Sequence, residues 1–402
     1  MVHAGQPGSG ARLALVFASL SGGGVERSML QLAEAFIARG LSVDLVVGQA
    51  KGELLADVPP QAHVRELRKR HFLRSGASGI AAAPGAWRLL PRMGRLKPLW
   101  RRLPALADYL RSARPNAVLA AEPRYNAIAV WARRLSRLDC RIVLSEHIHA
   151  SSHASASPWA DKQVLPLLRS AYLKADAIVT ASVGVADDLA AHVGIPRDRI
   201  TTVYNPVVTP DLLFKAREPV DHPWFAAGQP PVILAAGRLQ PQKDFATLIR
   251  AFAVLRSSRP ARLVILGAGT EFEHAALTTL ATELGVARDV EIPGFAHNPF
   301  AFMSHAAVFV LSSRYEGLGN VLIEALACGT PVVSTDCPSG PREILEDGRF
   351  GRLVPVGDAV ALAQAIERTL DAPLPSERLR ARAERFGVAR AAEDYLDLLL
   401  PR

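Results

Sequence analysis

The stretch that decides the fold spans residues 308–335 and reads VFVLSSRYEGLGNVLIEALACGTPVVST. Apolar runs at Val308–Leu311 and Val332–Thr335 predict two short buried strands, and the run Val321–Ala327 between them predicts a helix. A strand, a helix and a second strand in this order are typical of a parallel sheet that is covered on both faces. The stretch therefore predicts an α/β fold.

The same alternation continues on both sides and forms two series. The later series has candidate strands at Val232–Ala236, Leu263–Leu266, Val290–Ile292, Val308–Leu311, Val332–Thr335 and Leu353–Val356. The earlier series has candidate strands at Leu13–Ala18, Val43–Val47, Val118–Ala120, Ile142–Leu144, Ile178–Thr180 and Ile200–Val203. Prolines crowd residues 205–231 without periodicity, so the boundary is expected there. We predict two Rossmann-like doubly wound domains, 1–205 and 206–385, with a ligand cleft between them.

Composition is that of a globular protein that works in a reducing compartment. The chain has 402 residues, 49% hydrophobic and 21% charged, which is enough for two domains. No apolar run approaches the roughly 18 residues that span a bilayer, so neither a membrane span nor a signal peptide is expected. Cys140, Cys328 and Cys337 form no paired framework. We expect a cytoplasmic protein.

Two acids in the opening stretch are candidates for binding hydroxyl groups. Glu316 lies in the loop after a predicted strand, and Glu324 lies about one turn into the next helix. A buried carboxylate that accepts a hydrogen bond from a sugar or ribose hydroxyl contributes roughly 1.5–3 kcal/mol. Taken alone, this spacing is also compatible with two solvated acids on a helix and its cap.

The residues between these acids are suited to a phosphate. Gly317 and Gly319 let the backbone approach a ligand closely, and the amides near Asn320 and Val321 point outward from the helix start. Such a helix start attracts anions. We therefore include these four residues in the candidate binding site.

A pair of cations follows the strand Val232–Ala236. Arg238 lies at the strand end, and Lys243 comes just before the helix Phe245–Arg256, with Asp244 as its expected N-cap. Two cations at this place can neutralise the charge that grows on a diphosphate leaving group. The alternative is that both form surface salt bridges.

Together, Gly237–Lys243 and Glu316–Glu324 resemble motifs of the GT-B retaining glycosyltransferases called group 1 or family four. The resemblance covers nearly the whole chain. It implies that Glu316 contacts the donor sugar as the catalytic glutamate, that Glu324 contacts the ribose, and that Arg238 and Lys243 contact the diphosphate. It also implies that the segment 386–402, with a helix at about 388–400, packs back on the N-terminal domain.

The resemblance assigns further residues on both sides of the expected cleft. Gly23 and Gly24 would close their amides over the β-phosphate, although a plain strand-to-helix turn remains the alternative. His147 would orient a hydroxyl near the reactive face of the donor sugar. Phe295 lies in a segment that frames the base through backbone contacts.

No cofactor and no metal are expected, since the nucleotide sugar is a substrate and the chain contains no Asp-x-Asp motif. His147, His149 and His153 offer a metal site as an alternative, but acidic partners are lacking around them. The segment Gly267-Ala268-Gly269 suggests a dinucleotide fingerprint, which fails because Phe272 takes the place of the third glycine.

Residues 63–102 form a basic segment with eleven Lys or Arg residues against the single acid Glu66. Leu89, Trp100, Leu103 and other apolar residues interleave with these charges, which favours contact with an anionic membrane surface. The alternative is a solvated, partly disordered loop. Nucleic acid is not expected as a partner, because no recognised motif accompanies the charge.

These observations predict a retaining hexosyltransferase that moves a sugar from a nucleotide diphosphate, in the first instance a UDP-sugar. The acceptor would be a glycan or a lipid-linked molecule in the synthesis of cell-surface polysaccharide or lipopolysaccharide. The enzyme would be peripheral on the cytoplasmic face of the membrane. Two rivals are a sugar-nucleotide epimerase of the same architecture and a non-catalytic protein that binds sugar nucleotides or membranes.

Overall fold

The computed structural model describes residues 10–69, 100–152 and 165–401. By its internal contacts the chain divides into two compact units. Unit 1 comprises Met1–Pro206 and Val388–Arg402, and unit 2 comprises Val207–Gly387.

In the described part of unit 1, seven strands form one parallel sheet in the order β3-β2-β1-β4-β5-β6-β7. The strands are β1 Arg12–Phe17, β2 Ser42–Val47, β3 His63–Glu66, β4 Ala117–Ala121, β5 Arg141–Glu146, β6 Ala177–Thr180 and β7 Ile200–Thr202. The helices are α1 Gly24–Ile37, α2 Leu103–Ala113, α3 Pro123–Ser136, α4 Leu165–Tyr172 and α5 Val183–Asp188, and a C-terminal helix follows after unit 2.

The edge strand β3 was not predicted. Its four residues, His63–Glu66, are exposed or half-exposed, so they carry no apolar run that would indicate a strand. They pair in parallel with β2. The first residues of the predicted basic segment are therefore part of the sheet.

The prediction that apolar residues of the basic segment face a membrane is wrong for Trp100 and Leu103, at the end of the segment. Trp100 and Leu103 are fully buried, and both belong to the core on the side of the sheet where α2 packs against α3. Side chains that are buried in this core cannot also face a lipid surface. Residues 70–99, which carry most of the basic segment, lie outside the described residues.

In the described part of unit 2, six strands form a parallel sheet in the order β10-β9-β8-β11-β12-β13. The strands are β8 Val232–Ala236, β9 Arg262–Leu266, β10 Val290–Gly294, β11 Val308–Leu311, β12 Val332–Thr335 and β13 Arg352–Val354. The helices are α6 Pro210–Lys215, α7 Phe245–Arg256, α8 Glu271–Glu283, α9 Pro299–His305, α10 Asn320–Cys328, α11 Pro341–Ile344, α12 Ala359–Asp371 and α13 Ser376–Ala383.

The last helix, α14 (Val388–Leu399), belongs to unit 1. Its side chains Tyr395 and Leu399 are buried in the same core cluster as Leu15 and Phe36. The helix therefore completes the core of unit 1 rather than that of unit 2.

The predicted α/β class is confirmed, because both sheets are parallel and carry helices between successive strands. In unit 2, β8, β11 and β12 are neighbours, so the loops after them lie along one edge of the sheet. Among the described residues, no helix is long and apolar enough to cross a membrane.

Candidate functional site

Three loops at the carboxyl edge of the unit 2 sheet are bound to one another by hydrogen bonds. The first two are the 237–244 loop after β8 and the 312–319 loop after β11. The side chain of Gln242 donates to the carbonyl of Tyr315 at 2.9 Å, and the amide of Arg314 donates to the carbonyl of Gln242 at 2.8 Å. The hydroxyl of Ser312 donates to the carbonyl of Lys243 at 2.7 Å. These bonds bring together the two sequence motifs that carried the resemblance.

At the centre of these loops, Lys243 and Glu316 form an ion pair. The Nζ atom of Lys243 donates to Oε1 of Glu316 at 2.6 Å, and the hydroxyl of Ser313 donates to the same oxygen at 2.6 Å. The side chains of Lys243 and Glu316 are only 16% and 8% exposed. Because water is largely excluded, the pair interacts more strongly than a surface salt bridge would.

The third loop, 336–340 after β12, holds Glu316 from the other side. The amide of Glu316 donates to the carbonyl of Pro338 at 2.7 Å, and the amide of Ser339 donates to the carbonyl of Glu316 at 3.1 Å. Gly340 has a φ of +98°, and a Cβ at this position would overlap the carbonyl oxygen of Leu318. Glycine is therefore required where the third loop passes the second.

The expected N-cap at Asp244 is wrong as far as its side chain is concerned. Asp244 occupies the residue before α7, but it adopts a left-handed conformation and its side chain makes no cap hydrogen bond. Its carboxylate instead accepts from Nε of Arg314 at 3.0 Å. The acid thus adds another link between the first two loops.

The two predicted cations are in different states. Arg238 is exposed, and among the described residues its guanidinium makes no hydrogen bond or ion pair. Lys243 is held by Glu316. Arg238 can therefore bind an anion from solvent directly. Lys243 can bind one only if it keeps part of its bond to Glu316 or breaks that bond.

The second glutamate lies on α10, which begins directly after the 312–319 loop. Gly319 precedes the helix with a φ of +97°, Asn320 is its first residue, and Glu324 lies four residues, about one turn, later. Asn320, Val321, Glu324 and Gly317 are all half-buried. Each is placed at or near the start of the helix, as expected.

Glycines also lock the loop after β9 against the loop after β8. The amide of Gly237 donates to the carbonyl of Leu266 at 2.9 Å. A Cβ at Gly267 would overlap the carbonyl oxygen of Gly237. The Gly267-Ala268-Gly269 segment thus has a packing role. Phe295, just after β10, is 47% exposed and contacts His297 edge to face at 5.1 Å between ring centroids.

In unit 1, the predicted glycines lie at the start of α1. Gly23 is the N-cap residue, and Gly24 is the first residue of the helix. A Cβ at Gly23 would overlap the carboxylate of Glu26, so this acid lies against the helix start. A carboxylate at this place is favourable for the helix dipole.

His147 directly follows β5 and has both ring nitrogens engaged. Its Nε2 and the hydroxyl of Ser145 are 2.9 Å apart, and its Nδ1 lies 3.0 Å from Oδ1 of Asn205. Ser145 also contacts the hydroxyl of Tyr395 at 2.7 Å, which links the cluster to α14. Burial lowers the pKa of His147 to about 4, so the ring is neutral near pH 7.

Glu146, immediately before this histidine, is fully buried. Burial raises its pKa to about 8, although the hydroxyl of Tyr172 donates to its Oε2 at 2.8 Å. Burial likewise raises the pKa of Glu122, after β4, to about 7, with a further contribution from the charge of Glu26. Sequence reasoning gave neither acid a role, since a pKa shift depends on burial that no motif encodes.

The alternative metal site has no support among the described residues, where no cluster of three His, Cys, Asp or Glu residues is suited to a metal ion. His149 contacts Ser152 and lies 3.6 Å from Asp188, while His153 lies outside the described residues. The carboxylate of Asp188 also accepts from the amide of Ser151.

Sequence reasoning also missed Ser313 and Ser339, which hold Glu316 through its side chain and its carbonyl. Ser313 lies within the stretch 308–335, and Ser339 lies four residues after its end. Ser313 precedes Glu316 by three residues, but a serine near a glutamate carries no signal until the loop conformation brings the two together.

Two family models match the chain. The one described as "Glycosyl transferases group 1" matches residues 230–372, and the one described as "Glycosyltransferase Family 4" matches residues 22–210. The first match contains the three loops described above, and the second covers most of unit 1.

Two curated relatives are similar over most of their length. A diphospho-undecaprenol 4-alpha-N-acetylgalactosaminyltransferase of Campylobacter jejuni is 33% identical over 69% of this chain and 74% of the relative. The lipopolysaccharide core biosynthesis glycosyltransferase LpsE of Rhizobium meliloti is 30% identical over 86% of this chain and 85% of the relative.

Solved structures share the fold at lower identity. The Anabaena protein HepE in complex with UDP and glucose has a TM-score of 0.74 at 18% identity, covering 97% of this chain and 99% of that one. The apo form of the lipopolysaccharide outer core galactosyltransferase WaaB has a TM-score of 0.70 at 19% identity, covering 96% and 99%. At these identities the likeness concerns the fold.

Proposed function

This chain belongs to the group 1 glycosyltransferases and is a sugar-transferring enzyme of the hexosyltransferase type; on that premise we propose that the carboxyl edge of the unit 2 sheet binds the diphosphate sugar donor. The observation that carries the proposal is the ion pair between Lys243 and Glu316, supported by Ser313. Lys243, which the resemblance assigns to the diphosphate, and Glu316, which it assigns to the donor sugar, are therefore in direct contact.

Two cations of the 237–244 loop are positioned to bind the diphosphate. Arg238 is exposed and ready to meet a phosphate, and Lys243 exchanges part of its bond to Glu316 for a bond to the phosphate when the donor binds. The start of α10 adds a favourable dipole for an anion. These groups stabilise the negative charge that grows on the leaving group as the glycosidic bond breaks.

The carboxylates bind hydroxyl groups. Glu324, one turn into α10, accepts from the ribose, and Glu316 accepts from the donor sugar. Phe295 lies next to the strand end that would frame the base. We propose a UDP-sugar as donor, which is supported by the complexes of the structural neighbour HepE with UDP and with UDP-glucose.

We propose that transfer retains the anomeric configuration and needs no metal ion or cofactor. The diphosphate oxygen helps to remove the proton of the acceptor hydroxyl as the hydroxyl attacks on the leaving-group face. His147 orients a hydroxyl by exchanging one of its two present hydrogen bonds for a bond to it, and the low pKa of the ring means that it takes no proton near pH 7.

The acceptor is proposed to be a lipid-linked or glycan molecule in the synthesis of lipopolysaccharide or another surface polysaccharide. The names of the Campylobacter and Rhizobium relatives support this acceptor class. A lipid-linked acceptor places the enzyme peripherally on the cytoplasmic face of the membrane. The basic segment 63–102 is proposed to provide the contact, through its charges and without Trp100 and Leu103.

The donor is tested by screening UDP-sugars and other nucleotide sugars for thermal stabilisation and for release of the nucleotide with a polyprenyl-diphosphate-linked glycan as acceptor. We expect one nucleotide sugar to raise the melting temperature and to be consumed together with the acceptor. Conversion of the donor to an epimer without an acceptor would instead identify a sugar-nucleotide epimerase. Binding without any product would identify a non-catalytic binding protein.

Membrane contact is tested by replacing Arg88, Arg92, Arg95 and Arg101 with glutamine. We expect weaker sedimentation with vesicles that contain phosphatidylglycerol and no change with neutral vesicles. If binding to the anionic vesicles is unchanged, the basic segment is not the membrane contact.

A further inference from the structure

A cavity in unit 2 lies outside the three loops of the donor site. It has a volume of about 390 Å³ and is lined by Glu346, Phe350, Arg378, Ala381, Arg382 and Arg385. One wall is the turn between α11 and β13, and the other is α13 with the residues that follow it. Its lining contains three guanidinium groups and one carboxylate.

Two of the lining arginines and the neighbouring Arg349 lie close to one aromatic ring. The guanidinium carbons of Arg378 and Arg382 lie 5.4 and 5.6 Å from the centroid of Phe350, and that of Arg349 lies 5.6 Å away. A guanidinium within about 6 Å of an aromatic ring is attracted by the electron density of the ring, which stabilises the cation. Phe350 thereby holds several positive charges near one another.

Within this cluster, only part of the charge is compensated. Glu346 pairs with Arg382 at 2.7 Å and with Arg349 at 2.8 Å. Arg382 also donates to the carbonyls of Ile344 and Glu343 at 2.8 and 2.7 Å, so it is a structural residue.

The two remaining arginines are exposed and have no carboxylate partner among the described residues. Arg378 donates weakly to the carbonyl of Arg349 at 3.3 Å. The guanidinium of Arg385 makes no hydrogen bond or ion pair with any residue that the structure describes. Their charges are therefore available to a ligand.

Helical spacing directs these residues to the same side. Ala381 and Arg382 lie three and four residues after Arg378 on α13, which places them on one face of the helix, and Arg385 in the 3-10 turn Glu384–Phe386 after it lines the same cavity. Ala381 is small and leaves room between the long side chains. The nearby acids Glu377 and Glu384 occupy other positions of the repeat and do not line the cavity.

We propose that this cavity binds the phosphate group of a phosphorylated ligand, through Arg378 and Arg385. Guanidinium groups match the geometry of phosphate oxygens and bind them through paired hydrogen bonds. A bound anion would also relieve the mutual repulsion of the clustered cations. Free phosphate esters and phospholipid headgroups share this chemistry. The site has no residue in common with the donor loops, so the proposal does not depend on the proposed function.

Isothermal titration of the full chain with glycerol 3-phosphate and with inorganic phosphate provides the first test. The variant Arg378→Gln/Arg385→Gln is compared with Arg250→Gln/Arg368→Gln, which removes two exposed helical arginines elsewhere in unit 2. The donor site is the same in both variants, so a difference between them reports on this cavity. We expect about tenfold weaker binding in the first variant, which corresponds to about 1.4 kcal/mol. The second variant should bind as the wild type does.

Vesicle sedimentation, with phosphatidylcholine alone and with added phosphatidylglycerol, provides the second test. A loss confined to the soluble ligands supports the proposal with a free phosphate ester as the source, and a loss of vesicle binding supports it with a lipid headgroup as the source. The single variant Arg385→Gln removes an exposed side chain that makes no contact needed for the fold. Its melting temperature should equal that of the wild type while its binding is weaker, which shows that the loss does not come from misfolding. Equal binding by the wild type and both double variants in all assays would overturn the proposal, as would a wild type that binds none of the probes.

Discussion

Replacing Glu316 with glutamine removes the charge at the centre of the donor site and keeps the shape of the side chain. In the protein, Glu316 Oε1 accepts hydrogen bonds from Lys243 and Ser313, both at 2.6 Å. The amide oxygen of glutamine can accept the same two bonds. The substitution therefore separates the charge of the carboxylate from its geometry.

The cost in stability follows from these two bonds. A hydrogen bond to a charged group contributes about 1.5–3 kcal/mol and a neutral one about 0.5–1.5 kcal/mol, so the bond from Ser313 weakens by about 1–1.5 kcal/mol. Lys243 stays charged and loses its buried counter-ion, so we expect a total loss of about 2–3 kcal/mol in the free energy of unfolding. A domain is stable by about 5–15 kcal/mol, so Glu316→Gln should remain folded. Urea unfolding followed by circular dichroism measures this difference.

The cost in activity should be larger. A charged contact that matters most in the transition state is worth about 10²–10³ in turnover. We expect nucleotide release in the presence of the acceptor to fall at least that far in Glu316→Gln. In the control Glu283→Gln, which changes an exposed acid on α8, turnover should stay at the wild-type level. Turnover near the wild-type value together with the expected loss of stability would refute the catalytic role and leave the ion pair as a structural feature.

Three further substitutions test the third loop of the donor site and the buried residues Glu146 and His147 at the end of β5. Gly340→Ala, which would place a Cβ against the carbonyl of Leu318 at a φ of +98°, should lower the melting temperature more than Gly357→Ala, where the surroundings are open; equal losses would contradict the packing argument. Burial raises the pKa of Glu146 from 4.5 to about 8, so the folded state loses stability as the pH rises through this range, by up to about 1.4 kcal/mol per unit. Glu146→Gln should flatten the slope of unfolding free energy between about pH 5 and 8, and an unchanged slope would show that another group causes it. Burial lowers the pKa of His147 from 6.5 to about 4, so stability is present above this range and is lost as the pH falls; His147→Gln should lose less stability than the wild type between about pH 6.5 and 4, and an equal loss would contradict the assignment.

Much of the fold could be predicted from local patterns. The α/β class and the family resemblance are confirmed, because buried parallel strands carry continuous apolar runs and the motifs lie at their carboxyl ends. The strand β3 was not predicted because its exposed residues bury no apolar face. Trp100 was assigned to a membrane surface because an amphipathic pattern does not reveal whether its apolar side meets lipid or the protein core.

The candidate site could be predicted in its residues but not in its contacts. Lys243 and Glu316 are 73 residues apart, and only the adjacency of β8 and β11 in the sheet makes them partners. Asp244 matched the N-cap pattern, yet its left-handed backbone directs the carboxylate to Arg314. Such contacts depend on loop conformations that neighbouring loops impose, and no local sequence pattern encodes them.

The claim that unit 2 holds the donor is tested most directly by a crystal structure of the protein with UDP bound. We predict that the diphosphate lies within hydrogen-bonding distance of the Nζ atom of Lys243 and the guanidinium of Arg238, with the ribose hydroxyls on the carboxylate of Glu324. A nucleotide bound away from the 237–244 loop, with Lys243 still paired to Glu316 alone, would contradict the account.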